Sequence, residues 1–214
     1  MAGPWFFGTG HPPAGNAHME SVFLIVGLGN PGADYVKTRH NAGFLLVERL
    51  ASQWAAAWKN ERKFQARVAR AERGGKLILL AEPQTFMNLS GESVGSLVRF
   101  YQLPLQRIIV VVDDADLPLG EIRLRPGGGT GGHHGLESVM QHLGSREYAR
   151  LRLGIGRTDA ARQITGHVLG RFSTEENGLL EKILERAGGQ LESWLDAGID
   201  KAMQMNGRVE ELKR

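Results

Sequence analysis

Two apolar runs, VFLIV at 22–26 and RIIVVVDD at 107–114, limit the possible folds of this chain more than any other feature. Neither alternates apolar with polar residues, so each reads as a strand that water touches on neither face. Such strands need a covering layer on both sides of their sheet, and 214 residues suffice for one domain of that kind. Helical patterns supply the layers. Phe44, Val47, Leu50, Ala51 and Trp54 recur at helical spacing from about Asn41 onward, and SGESVGSLVRFY opens a second helix at Ser90. FQARVARAERGGKLILLAEP alternates, turns at Gly74-Gly75 and resumes, which predicts a hairpin. GEIRLRP is a short strand, the run GGGTGG a loop, and a third helix starts at about His134. ARLRLGIGR is a further strand; STEE at 173–176 is a capping box before Leu179, Leu180, Ile183, Leu184 and Ala187. A last helix over 194–203 is expected after a break at Gly188-Gly189. Interleaved strands and helices with a hairpin among them predict an α/β fold: a single domain whose twisted mixed β-sheet is flanked by helices.

The first strand runs into Gly27, Gly29 and Gly32, a G-x-G-x-x-G pattern that in the right setting binds a dinucleotide. The setting is missing. A helix should begin at the third glycine and an acid should close the next strand about twenty residues on. Here ADYVKTRH follows Gly32, and Glu48 falls inside the predicted helix. The turn is real, and its ligand is something other than a nicotinamide or flavin cofactor.

Composition removes further classes. Cysteine is absent, which rules out disulfides, thiolate metal sites and a cysteine nucleophile, and suits the cytoplasm. No apolar run approaches the length that spans a bilayer, so no membrane role is expected. Residues 1–18, rich in Gly, Pro and Ala, read as a disordered extension or an added tag, leaving 19–214 as the domain. The net charge is only +3, yet between Glu121 and Arg171 eight arginines face four acids. That local excess suits a polyanionic partner or a solvated basic face.

Polar residues gather where strands and loops end: Asn30, His40-Asn41, Asn88, Asp113-Asp114 and His133-His134. Ligands of open α/β sheets bind at such ends. A histidine can take a proton from water, and a carboxylate on its other nitrogen fixes the tautomer. Each residue also has a structural use: His40 and Asn88 can cap helices, and Asp113 can cap or turn. DDADLPLG fails as a calcium loop, since the twelfth position from Asp114 is Arg125. GGGTGGHHG lacks the Gly-Lys-Ser/Thr ending of a P-loop, and adjacent histidines do not make a helical zinc pair.

In combination, GLGNPGADYVKTRHNAGF, PQTFMNLSGESV, VDDADLPLGEIRLRPGGGTGGHHGL and RLRLGIGR closely resemble the bacterial-type peptidyl-tRNA hydrolase family. The resemblance implies a cofactor-free and metal-free esterase, a cytoplasmic monomer, that cleaves the peptide from the 3′-terminal ribose of tRNA. It implies His40 as the catalytic base, Asp113 as its supporting acid and Asn30 as the sensor of a blocked amino group. Tyr35, Phe86, Met87, Asn88, Asn41, His133 and His134 then belong with the peptide or the tRNA end, and Arg123, Arg125 and Arg152 with tRNA phosphates. The chain departs from the family at His134, where GGHNGL usually carries asparagine. A non-catalytic RNA-binding protein on the same scaffold is the alternative.

Overall fold

A computed structural model describes residues 21–156 and 164–205; the expectation for 1–18 lies outside them. Seven strands form one sheet: β1 (Val22–Gly27), β2 (Trp58–Glu61), β3 (Ala66–Arg73), β4 (Lys76–Pro83), β5 (Ile108–Asp114), β6 (Ile122–Arg125) and β7 (Ala149–Gly154). Their order is β2-β3-β4-β1-β5-β7-β6. Strands β4, β1, β5 and β7 run parallel, while β2 and β3 at one edge and β6 at the other are antiparallel to their neighbours. The sheet is therefore mixed, with the predicted hairpin at β3–β4.

The two apolar runs occupy the centre. On β5, Ile109 and Val111 enter one core, while Ile108, Val110 and Val112 enter the other. Helices α1 (Ala42–Gln53), α5 (Thr174–Ala197) and α6 (Ile199–Met203) cover the first face; α2 (Ser90–Tyr101) and α3 (His134–Leu143) cover the second. A one-turn helix α4 (Ile164–Val168) precedes α5.

Two expectations need correcting. Gly188-Gly189 does not break the helix that opens at the capping box: α5 runs through both glycines to Ala197 and is stopped by Gly198, whose φ of +85° no other residue type adopts readily. Burial of Gly188 against Leu50 outweighs the local weakness of a glycine pair. The edge strand β2, WKNE, was not expected, because a polar strand paired on one side only carries no apolar signature.

The glycine turn after β1 has a packing cause. A Cβ on Gly27 would lie 2.2 Å from the carbonyl oxygen of Gly43 in α1, and one on Gly29 would lie 2.8 Å from the ring of Phe44. Gly32, at φ +113°, turns the chain into an irregular stretch, and α1 begins only at Ala42. No helix begins at Gly32, so the strand–turn–helix arrangement of a dinucleotide site is absent.

Candidate active site

Because β4, β1 and β5 are parallel neighbours, the loops that leave them emerge at one end of the sheet. They bring Asn30, Phe86, Met87, Asn88 and Asp113 together around a cavity of about 660 Å³. His40 reaches it from the turn Arg39–Asn41, His133 and His134 from the start of α3, Arg152 from β7, and Val168 and Leu169 from the end of α4. Tyr35, Asn41, Arg123 and Arg125 do not line it.

Asp113 is 3% exposed and accepts two hydrogen bonds on one oxygen. Nδ1 of His40 lies 2.9 Å from Oδ1, and Nε2 of His133 lies 3.2 Å from the same atom. Burial pushes the carboxyl pKa up, but the His133 and His40 bonds outweigh it and hold the group well below the usual carboxylate range. Asp113 therefore stays ionised at every working pH.

The helix α3 settles the proton positions. Nδ1 of His133 accepts from the backbone N–H groups of Gly135 (3.1 Å) and Leu136 (3.3 Å), so this imidazole is the N-cap. An accepting Nδ1 leaves the ring proton on Nε2, which donates to Asp113. His40 likewise donates from Nδ1, which leaves the lone pair of its Nε2 free on a side chain that lines the cavity. The three residues also bring ligand atoms within 4.8 Å of one another, close enough for a metal ion. The donor set does not fit one, because Nε2 of His133 could bind a metal only by placing a proton on Nδ1, against two N–H donors.

The asparagines divide the work. The amide of Asn41 grips the backbone of Asn30 at both ends: its oxygen accepts from Asn30 N–H (2.9 Å) and its nitrogen donates to Asn30 C=O (3.0 Å). At 2% exposure Asn41 is buried, and each end of its amide is engaged on Asn30 rather than on the cavity. Oδ1 of Asn30 accepts from the Met87 N–H at 2.8 Å. Only an oxygen can take that bond, so the NH₂ of Asn30 is the end left for the cavity. Asn88 is exposed within the turn Met87–Leu89 and caps no helix. Met87 is buried and holds Asn30 through its main chain; Phe86, at 58% exposure, offers an open ring.

Arginines shape the glycine-rich loop. Arg150 and Arg152 sit on β7 directly opposite Arg125 and Arg123 of β6. The guanidinium of Arg150 donates to the carbonyls of Gly128, Gly129 and Arg146. That of Arg152 donates to Gly129 (2.9 Å) and Thr130 (3.0 Å) and pairs with Asp114 (3.0 Å). Arg152 is thus already engaged as a brace of the loop. Arg123 and Arg125 are exposed on the edge strand. His134 is on the rim, 76% exposed in its side chain, with Nδ1 3.1 Å from Glu137. The sequence pointed to none of Arg150, Val168 and Leu169; an arginine tied to main-chain carbonyls and two aliphatic wall residues carry no motif.

A family profile described as peptidyl-tRNA hydrolase matches residues 24–213. The chain belongs to the peptidyl-tRNA hydrolase family. It is 46% identical over 183 residues to the peptidyl-tRNA hydrolase of Gloeobacter violaceus, covering 85% of this chain and 92% of that protein. It is 45% identical to the one from Desulfitobacterium hafniense, covering 86% and 99%. Among solved structures, the crystal structure of peptidyl-tRNA hydrolase from Acinetobacter baumannii superimposes with a TM-score of 0.81 at 36% identity, covering 89% of this chain and 98% of that one. Among the described residues, no helix is long and apolar enough to cross a membrane.

Proposed function

We infer that this chain hydrolyses the ester between the peptide and the 3′-terminal ribose of peptidyl-tRNA, with His40 as general base. The observation that carries the assignment is the hydrogen-bonded series His133–Asp113–His40, which leaves one imidazole lone pair on the cavity side. Nε2 of His40 takes a proton from water as the water oxygen bonds to the ester carbonyl carbon. Ionised Asp113 stabilises the imidazolium that results. The carbonyl oxygen, now anionic, accepts hydrogen bonds from the amide nitrogens of Asn30 and Asn88. The intermediate collapses with loss of the ribose oxygen, which takes the proton back from His40. A peptide carboxylate and free tRNA leave.

Asn30 also supplies discrimination. With its oxygen tied to Met87, it presents only a donor, which suits the carbonyl of a blocked amino group. An unblocked aminoacyl group offers a charged ammonium, another donor, and is refused. Phe86 gives an aromatic face for a terminal base or an apolar side chain. The exposed Arg123 and Arg125 suit tRNA phosphates, and the cytoplasm suits a substrate made on ribosomes.

His40→Ala should leave the fold intact, by circular dichroism and melting temperature, and abolish release of an N-acetylated amino acid from tRNA. Near-normal turnover would exclude His40 as the base. Wild-type protein should cleave N-acetyl-aminoacyl-tRNA and spare the unblocked form. Tight tRNA binding without any cleavage would favour the RNA-binding alternative.

A further inference from the structure

Arg39 is the neighbour of His40 in the turn Arg39–Asn41, but its side chain does not line the cavity. It is 11% exposed and reaches across to the start of α5, 137 residues on. Nη2 lies 2.8 Å and 2.7 Å from the two carboxylate oxygens of Glu176. Nη1 donates to the carbonyl of Arg171, and the guanidinium carbon stands 5.1 Å from the ring centroid of Phe172. The main chain repeats the connection: Arg39 N–H donates to Gly170 C=O at 2.9 Å, and Thr38 forms an isolated β-bridge with Arg171. Glu176 is itself pinned, because its Oε2 accepts from the Ser173 N–H at 2.6 Å in the capping box of α5.

The segment so gripped follows directly on Val168 and Leu169, which line the cavity. We propose that Arg39 is a positioning residue, which locks the turn carrying His40 to the segment carrying Val168 and Leu169, so that base and cavity wall are held as one body. The proposal rests on His40 being the base. Arginine suits the task because its planar fork meets a carboxylate and a carbonyl at once, whereas the single ammonium of lysine cannot.

The test is steady-state hydrolysis of N-acetyl-aminoacyl-tRNA by Arg39→Ala, Arg39→Lys, Glu176→Gln and, separately, His40→Ala. Arg39→Ala should lower kcat about tenfold or more, since sub-ångström displacement of a catalytic group is that costly, and should also raise KM as the wall shifts. Loss of folded protein would lower kcat alone. Arg39→Lys should recover part of both constants. Glu176→Gln keeps an acceptor for the Ser173 N–H but removes the negative charge that pairs with Arg39; it should raise KM with little change in melting temperature, and it carries the test if Arg39→Ala does not fold. Wild-type kcat and KM in the folded variants, with His40→Ala inactive, would overturn the clamp and leave the base standing. Turnover by His40→Ala would overturn both.

Discussion

At the scale of single residues, the site depends on one oxygen. Oδ1 of Asp113 receives both imidazole donors, so Asp113 decides which nitrogen of His40 is left to act. Asp113→Asn keeps the shape but can present an NH₂ to the ring, which turns the tautomer over. Its kcat should fall on the order of 10³-fold or more, with KM close to wild type; a loss below tenfold would show that orientation by Asp113 is dispensable. The sequence made His40 and Asp113 visible, because a histidine and a buried-strand acid next to loops are chemically conspicuous. It hid the part played by His133. That residue reads as one more ligand contact until the N-terminus of α3 is seen to meet the end of β5, where its cap faces Asp113.

At the scale of elements, the position of His40 is set by how closely α1 lies on the sheet. Gly27 of β1 and Gly43 of α1 touch backbone to backbone. Gly27→Ala would force a methyl group to within 2.2 Å of a carbonyl oxygen and lift the first turn of α1, with the His40 turn ahead of it. Overpacking of this kind should lower the melting temperature by roughly 5–10 °C and reduce turnover more than stability alone explains. A variant that melts like the wild type would show the contact to be relaxed at no cost. The same glycines explain how a dinucleotide-like pattern arises without a dinucleotide. The central strands were legible because both of their faces are apolar. Strand β2 was not, since its place is set by pairing with β3, and the end of α5 was misread because burial against α1 outweighs the propensity of two glycines.

For the whole molecule, two buried carboxyls bracket the pH range of stability. Glu82 on β4 is fully buried, and burial raises its pKa from 4.5 to about 8, despite the opposing pull of Arg67, with Glu48 adding a further push upward. The folded state therefore holds a proton that the unfolded chain has released, and stability falls as pH rises from about 4.5 to about 8. Asp113 acts in the opposite sense. Its lowered pKa stabilises the fold above the ordinary value of 3.8, and that contribution is lost as the pH falls below it. Urea unfolding of Glu82→Gln should match wild type near pH 5 and become the more stable of the two by on the order of 1 kcal/mol or more at pH 9. Parallel pH curves for the two proteins would mean that Glu82 is ionised throughout.

The reach from Arg39 to Glu176 also orders events in time. His40 and Asp113 are synthesised within the first 113 residues, whereas the carboxylate that fastens their turn is made 63 residues later. Throughout that interval the growing chain is itself a peptide esterified to tRNA. An esterase whose catalytic turn is fastened by a later-made helix comes into full working order only once that helix has been made and has folded onto it.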